Sequence, residues 1–423
     1  MLSTDPYWWE AAAPQTSDQT PPPTAEIAIV GSGFAGLSAA LTLARGGRSV
    51  VVLDAGAIGG GASSRNVGFL GHELRTSLSR LTALHGRSEA IEIAREGIAA
   101  QRFAIQRIND EAIACDLCEP GRLVPAWRPS HYGALAIDAE TQYRAFGIEF
   151  EMLDADALRR ELGTDAYCGA KLVRRSFALH PGKFVAGLAE RAADAGAVLV
   201  DTCPVEAMVP DHDGVKLHTA RGPLLAREVL VATNGYTGRL TPDLRRRLLP
   251  VGSYVAATEE LSPERMARIL PTGRVGVDTR HVFSAFRPSP DGSRLIFGGR
   301  ASLHNLDARR AATILRRQMV RLFPDLADVA ITHSWSGYVA FTFDRLPHLG
   351  RKGRVRHVMG FNGAGVGMAT YLGHRAALSI LGGNEPESIF ERHDFPTRRF
   401  YSGNTWFLPL AFAYYKLKDR FAH

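Results

Sequence analysis

The sequence predicts an α/β chain of two domains, and three observations carry that expectation. A short apolar run, Ala25-Glu26-Ile27-Ala28-Ile29-Val30, leads into Gly31-Ser32-Gly33-Phe34-Ala35-Gly36 and then into an Ala/Leu-rich stretch over 37–44. A second run, Ser49-Val50-Val51-Val52-Leu53, ends in Asp54, 23 residues after Gly31. At 423 residues the chain exceeds what one hydrophobic core ordinarily serves.

The first two observations read as strand, turn, helix, strand. Gly31 allows the tight turn, Gly33 lets backbone N–H groups approach a pyrophosphate, and Gly36 lets helix and strand pack closely. The helix start then turns its positive dipole end toward phosphates. Asp54 stands where an acid holds a ribose 2′-hydroxyl, which argues against a 2′-phosphate and fits FAD or NAD. Ser32, Phe34, Ala35 and Ala55 belong to the same cradle.

Residues 1–23 form a polar arm with Tyr7-Trp8-Trp9, read as a docking anchor on the folded body rather than a partner contact, and Pro21-Pro22-Pro23 extends into the first strand. The loop Gly61-Ala62-Ser63-Ser64-Arg65-Asn66-Val67-Gly68 follows Asp54 closely enough to run along a pyrophosphate. His72 beyond it is either near a reactive ring or a hydrogen-bonded structural histidine. Amphipathic spacing predicts helices over 88–111 and 307–323. His180-Pro181-Gly182-Lys183 opens a helix over 184–195, stopped by Gly196. A strand follows at 197–200, then a hairpin around Asp213-Gly214. A strand ends in Ala232-Thr233-Asn234-Gly235, a second place for backbone to touch a cofactor. Residues 250–300 are strand-rich, and Gly363-Ala364-Gly365-Val366-Gly367 precedes a helix over 368–381.

Composition limits the alternatives. Hydrophobic residues make up 45% and charged residues 22%, as in a globular protein. The 50 basic and 43 acidic residues are well mixed, and the longest basic run is Arg245-Arg246-Arg247. Solvated surface charge, not a nucleic-acid face, is the expected meaning of the +7 net charge. Four cysteines make no disulfide scaffold; Cys115 and Cys118 lack further ligands at metal spacing, so no metal and buried or semi-buried thiols are expected. The uncharged stretch 27–44 is broken by glycines and has no basic region before it, which argues against a membrane span or signal peptide and for the cytoplasm.

Taken together, the glycine turn with Asp54, the Gly61–Asn66 loop, the His180-Pro181 helix start, Ala232–Gly235 and Gly363–Gly367 resemble the FAD-dependent D-amino-acid oxidase/glycine oxidase superfamily. Within it the chain looks most like gamma-glutamylputrescine oxidoreductase-like proteins, on the aromatic arm, Ala257-Thr258-Glu259 and Arg287-Pro288-Ser289-Pro290-Asp291-Gly292 leading to Phe297-Gly298-Gly299. The resemblance implies an interleaved fold. A Rossmann-like FAD domain is assembled from 24–75, 176–240 and 346–390, a sheet-based α+β substrate domain from 76–175 and 241–345, and 391–423 is a tail. It implies FAD contacts at all these blocks and at Val205. The activity it implies is oxidation of the C–N bond of an amine or amino acid. No cysteine follows Cys203, so FAD is expected to be non-covalent. Leu295-Ile296-Phe297 carries no lysine, which leaves oxygen and an electron-transfer partner both open as acceptors. Other readings are flavin-dependent RNA modification, a flavin-binding interaction protein and an NAD enzyme.

Tyr254, Tyr338, His72 and Arg287 are the candidate catalytic and substrate residues. In a hairpin about Pro290-Asp291-Gly292, alternation puts Phe283, Ala285 and Arg287 on one face, shared with Arg294, Ile296 and Arg300 if the turn has two residues. These arginines either reach solvent, or Arg287 grips a substrate carboxylate through its fork. The segment 406–415, followed by Lys416, Lys418 and Arg420, is expected to dock on its own body or a second subunit before a membrane surface.

Overall fold

The computed structural model describes residues 2–17, 19–303, 306–383 and 386–421. In chain order, the elements that build the site begin with β1 (Thr24–Val30), α1 (Phe34–Arg45), β2 (Val50–Leu53), α2 (Arg87–Asp110), α3 (Pro181–Asp194), β3 (Val198–Val200) and β4 (Gly222–Val231). They continue with β5 (Leu249–Thr258), β6 (Ser284–Pro288), β7 (Leu295–Gly299), α4 (Ala308–Leu322), β8 (Ile331–Phe341), β9 (Val355–Met359), α5 (Gly365–Leu381) and α6 (Leu408–Phe421).

Strands β3, β2, β1, β4 and β9 lie side by side and parallel. Their near-continuous apolar character follows from burial on both faces. Ile27, Ile29, Val50 and Val52 pack toward α1, α3 and α5. Ala28, Val30, Val51 and Leu53 pack toward the antiparallel strands Val205–Pro210 and Val215–Thr219, which hang on β4. Helices α1 and α5 approach backbone to backbone, so that a Cβ on Gly373 would lie 2.1 Å from the Ala35 carbonyl oxygen.

The second sheet is mixed and mostly antiparallel: β8, β5, β7, β6, then Val275–Val277, Arg122–Pro125, Gly169–Val173 and Glu151–Asp154. Period-two alternation divides it. Tyr254, Ala256, Phe286 and Phe297 pack with Leu315, Met319 and Leu322 of α4, while Ser253, Val255, Ala285 and Gly298 face a large cavity. The β6–β7 connection is longer than the tight turn expected: Ser289 N–H donates to the Arg294 carbonyl at 2.8 Å, enclosing four residues. The parity survives, with Arg287 opposite Ile296 and Ala285 opposite Gly298.

Element ends differ from the sequence expectations for local reasons. Helix α3 begins at Pro181 rather than 184, because the His180 Nδ1 accepts the Lys183 N–H at 3.1 Å and a proline fits the first turn. Helix α5 begins at Gly365 because the glycines that read as loop form its first turn. The sequence division groups α2 with the substrate domain, yet Ala90, Ile93, Ala100, Ala104 and Ile108 join the core of α1 and α5. Cys118 is exposed, unlike the semi-buried thiol expected; Cys115 is buried, its thiol pushed up to about 12 by desolvation, and all four cysteines are free.

The aromatic arm docks as expected. Trp8 is fully buried, donates from Nε1 to the Asn66 carbonyl at 2.9 Å and meets Trp335 edge-on. Ser3 exchanges backbone hydrogen bonds with Thr332 and Ser334 beside β8.

Burial lowers three histidines, His180, His357 and His374, from 6.5 to about 4. The folded state keeps them neutral, whereas the unfolded chain protonates them near the ordinary value, so their stabilisation is complete above that value and is lost as pH falls toward their folded values. The thermal midpoint should therefore drop steeply between pH 6.5 and 4, and His374→Gln should flatten that slope in a pH series of unfolding curves.

Candidate active site

Between the two sheets lies a cavity of about 960 Å³, near the top of the range of roughly 300–1,000 Å³ for ligand sites. One wall comes from the strand ends of the parallel sheet and the starts of α1 and α5, the other from β5–β8.

The glycine turn is built as the spacing requires. Gly31 has φ +106°, and a Cβ there would lie 2.9 Å from the Ala232 carbonyl oxygen. A Cβ on Gly36 would come within 1.9 Å of the Gly31 carbonyl oxygen. Asp54 Oδ2 accepts the Ser32 N–H at 2.8 Å and its hydroxyl at 2.5 Å, while Oδ1 accepts the Gly56 N–H at 2.9 Å. Phe34 N–H donates to Ser63 Oγ at 2.9 Å, joining the helix start to the following loop. Gly31, Ser32, Gly33, Phe34, Ala35, Asp54, Ala55, Gly61, Ala62, Ser63, Arg65 and Asn66 all line the cavity, as do Val205, Ala232, Thr233, Asn234, Gly363, Gly365 and Val366.

Six expected contacts sit behind this lining. Gly36 serves helix–strand packing. Ser64 turns inward, donating to the Gly59 carbonyl at 2.7 Å. A Cβ on Gly68 (φ +78°) would strike the Leu179 carbonyl at 2.1 Å, and one on Gly235 would press on Tyr338 at 3.0 Å. Ala364 caps α5, and Gly367 packs toward Leu70 and α2. The α5 start has no side-chain cap, so the positive end of a 17-residue helix faces the cavity through Gly365 and Val366.

Three of the four substrate candidates lie elsewhere. Arg287 Nη1 donates to the Val67 and Leu179 carbonyls at 3.1 and 2.8 Å, and Nε to Pro288 at 3.0 Å. Burial pushes its guanidinium down to about 10. With Nε and Nη1 bonded to three carbonyls, Arg287 ties the loop after Asn66 to β6 and is absent from the cavity lining. Tyr254 points to the α4 side, where its oxygen accepts the Leu306 N–H at 2.8 Å and burial raises its hydroxyl to about 12. His72 is buried beside a separate small cavity with Glu73 and Gln142, and desolvation lowers its pKa. Tyr338 alone lines the main cavity, edge-on to Tyr236 at 5.5 Å.

Arg75, Phe283 and Arg300 line the cavity and were not singled out as site residues. The two guanidiniums lie 5.3 and 5.2 Å from the Phe283 ring. Burial first, and then Arg75, push Arg300 down to about 10. Neither arginine has a carboxylate partner among the described residues. Strand parity pointed to Arg300, which continues the Ala285/Arg287 face; nothing in the sequence pattern marks Arg75.

Residues 26–378 match the family model described as FAD dependent oxidoreductase. The chain belongs to this family. It is 33% identical over 425 residues to the probable oxidoreductase OrdL of Rhizobium meliloti (strain 1021), covering 98% of this chain and 97% of that one. It is 30% identical to gamma-glutamylputrescine oxidoreductase of Escherichia coli (strain K12), over 94% and 93% of the two chains. The fold matches the crystal structure of glycine oxidase from Geobacillus kaustophilus with a TM-score of 0.74 at 22% identity, over 89% of this chain and 99% of that one. It is thus an FAD-dependent oxidoreductase with the two-domain fold of its family, and the cavity fits that cofactor. At Gly31 and Gly33 a Cβ would meet Ala232 and Ser63 at 2.9 Å, so the turn presents bare backbone, with Asp54 beside it. No helix among the described residues is long and apolar enough to cross a membrane.

Asp54→Ala should weaken FAD binding by about 1.5–3 kcal/mol, the range for hydrogen bonds to a charged group. Asp54→Asn, which still offers one oxygen to Ser32, should lose less. Reconstitution of apoprotein followed by calorimetry measures both, and equal affinity for all three proteins would remove Asp54 from the site.

Proposed function

We propose that this enzyme oxidises the C–N bond of an amine that also bears a carboxylate. The observation that carries the reading is the pair Arg75 and Arg300, which face the cavity across Phe283 without a carboxylate partner among the described residues. Arg300 is partly buried and Arg75 is exposed, and two like charges this close favour an anionic group between or beside them.

FAD, which the Gly31–Gly33 turn and Asp54 would hold, would supply two-electron oxidation of the carbon next to the amine, leaving an imine for water to hydrolyse. The chain's part is orientation. The arginine pair fixes one end of the substrate, and Tyr338 and Tyr236 provide a rigid aromatic corner. Val255, Ala285, Gly298 and Val339 add an apolar stretch to the lining. Among the described lining residues the acids are Asp54 and Glu206, both on the parallel-sheet side. Among the described lining residues the β5–β8 wall carries no carboxylate to take the amine's proton, so that proton goes to solvent before the neutral amine reacts.

Non-covalent FAD accords with the position of Cys203, which lines the cavity but donates its backbone N–H to Asp54 at 2.7 Å, at the expected ribose end. The free cysteines suit a reducing cytoplasm. The acceptor is oxygen or an electron-transfer partner. A panel of amines with and without carboxylates, mixed anaerobically with the yellow protein, tests the reading: amino-carboxylates should bleach the flavin band, and bleaching by carboxylate-free amines alone would overturn it.

A further inference from the structure

Helix α6 lies beyond the residues that match the family model, yet it is fastened to the wall carrying the arginine pair. On a helix, residues 408, 412, 415 and 419 share one face. Leu408, Phe412 and Tyr415 pack with Val251, Leu303 and Phe341, two of which line the cavity. Tyr415 stacks on His281 at 5.1 Å between centroids and 18° between planes.

Asp419 is the fixed point. Its Oδ1 accepts the His281 N–H and faces His281 Nδ1, both at 3.0 Å, and its Oδ2 accepts the Val282 N–H at 2.8 Å. The Arg128 guanidinium donates to the Asp419 carbonyl. The carboxylate thus holds two consecutive backbone amides directly before Phe283. Phe283 carries Arg75 on one contact and Arg300 on another, and Arg300 also lies 5.5 Å from the Phe341 ring against which α6 packs. Charge-assisted bonds to backbone amides are strong and directional, so they fix a chain path more tightly than apolar packing does.

We infer that Asp419 is a positioning residue for substrate recognition: through the His281 and Val282 amides, α6 sets Phe283 and so the spacing of Arg75 and Arg300. The inference rests on the reading of those arginines as the carboxylate site. It makes the C-terminal helix part of the specificity wall and assigns it no chemical step.

Full-length protein loaded with FAD, titrated with benzoate and separately with benzylamine, tests this through the shift of the flavin absorption band. A displacement of the pair should weaken benzoate binding to Asp419→Ala by roughly tenfold or more, since misplacement by an ångström is costly. Benzylamine affinity and FAD content should stay within about twofold, as for sites that do not couple. Asp419→Asn, which keeps one acceptor, should fall between, and it serves alone if the alanine variant does not fold. Benzoate affinity unchanged in both variants, or both ligands weakened alike, would overturn the inference. Arg300→Met separates it from the reading beneath: if wild type does not bind benzoate, or Arg300→Met leaves that binding unchanged, the carboxylate site itself is wrong. If Arg300→Met weakens benzoate and the Asp419 variants do not, only the role of α6 fails.

Discussion

Gly36→Ala should purify with markedly less FAD than the wild type. The added Cβ would stand 1.9 Å from the Gly31 carbonyl oxygen, a backbone atom that cannot rotate away, and Gly31 itself lies against Ala232. Relief requires α1 to move off β1, which displaces the turn and the helix start that face the cofactor. Overpacking of this kind costs about 1–3 kcal/mol or more. Because the displaced atoms are those of the cradle, most of that cost falls on FAD affinity, a loss of about 100-fold. Gly31→Ala should act in the same direction, through strain at φ +106° and the 2.9 Å approach to Ala232. Gly47→Ala is the control: φ is +77° but no atom lies within 4 Å of the added carbon, so the strain should lower stability and leave FAD in place. The ratio of flavin to protein absorbance, with far-ultraviolet circular dichroism to check folding, reads all three. Full FAD occupancy in Gly36→Ala would contradict the packing argument.

Arg300→Met cuts kcat/KM for an amino-carboxylate by about 100-fold or more, since losing one partner of a desolvated charge pair costs roughly 2–5 kcal/mol. Methionine keeps much of the side chain's volume, so its packing on Phe283 and Phe341 is largely retained. A carboxylate-free amine should lose little, because it never used the charge, and removal of one of two like charges eases the wall. Arg75→Met, at an exposed position, should act in the same direction with a smaller loss, and the double variant should lose less than the sum, as expected of groups that act on one ligand atom set. Steady-state kinetics on both substrate types decide. Equal losses on the two would return Arg300 to a structural role.

The cofactor half of the site was legible because its signals are local. Glycines 31, 33 and 36 and Asp54 act through backbone geometry within one strand–turn–helix–strand unit, and the spacing alone carries it. The order β3-β2-β1-β4-β9 was less so, since β3, β4 and β9 join the sheet from distant segments. The substrate wall was read only in part. Parity on β6 and β7 held in the register, but position along the shared face separates its two arginines. Arg287 ends among the Val67 and Leu179 carbonyls, while Arg300, at the other end, meets the cavity. Tyr254 failed for the opposite reason: one residue from Ser253 and Val255, it faces α4. Arg75 and Asp419 reach the wall through tertiary contacts that no periodicity encodes.

Single-turnover product analysis reads directly whether this cavity oxidises an amine carrying a carboxylate. Yellow protein is mixed anaerobically with an amino-carboxylate that bleaches it, and the carbonyl product is counted against flavin reduced. One carbonyl and one released amine or ammonia are expected for each flavin bleached, with no bleaching by NADH. Bleaching by NADH, or flavin reduction without a matching carbonyl, would contradict that reading.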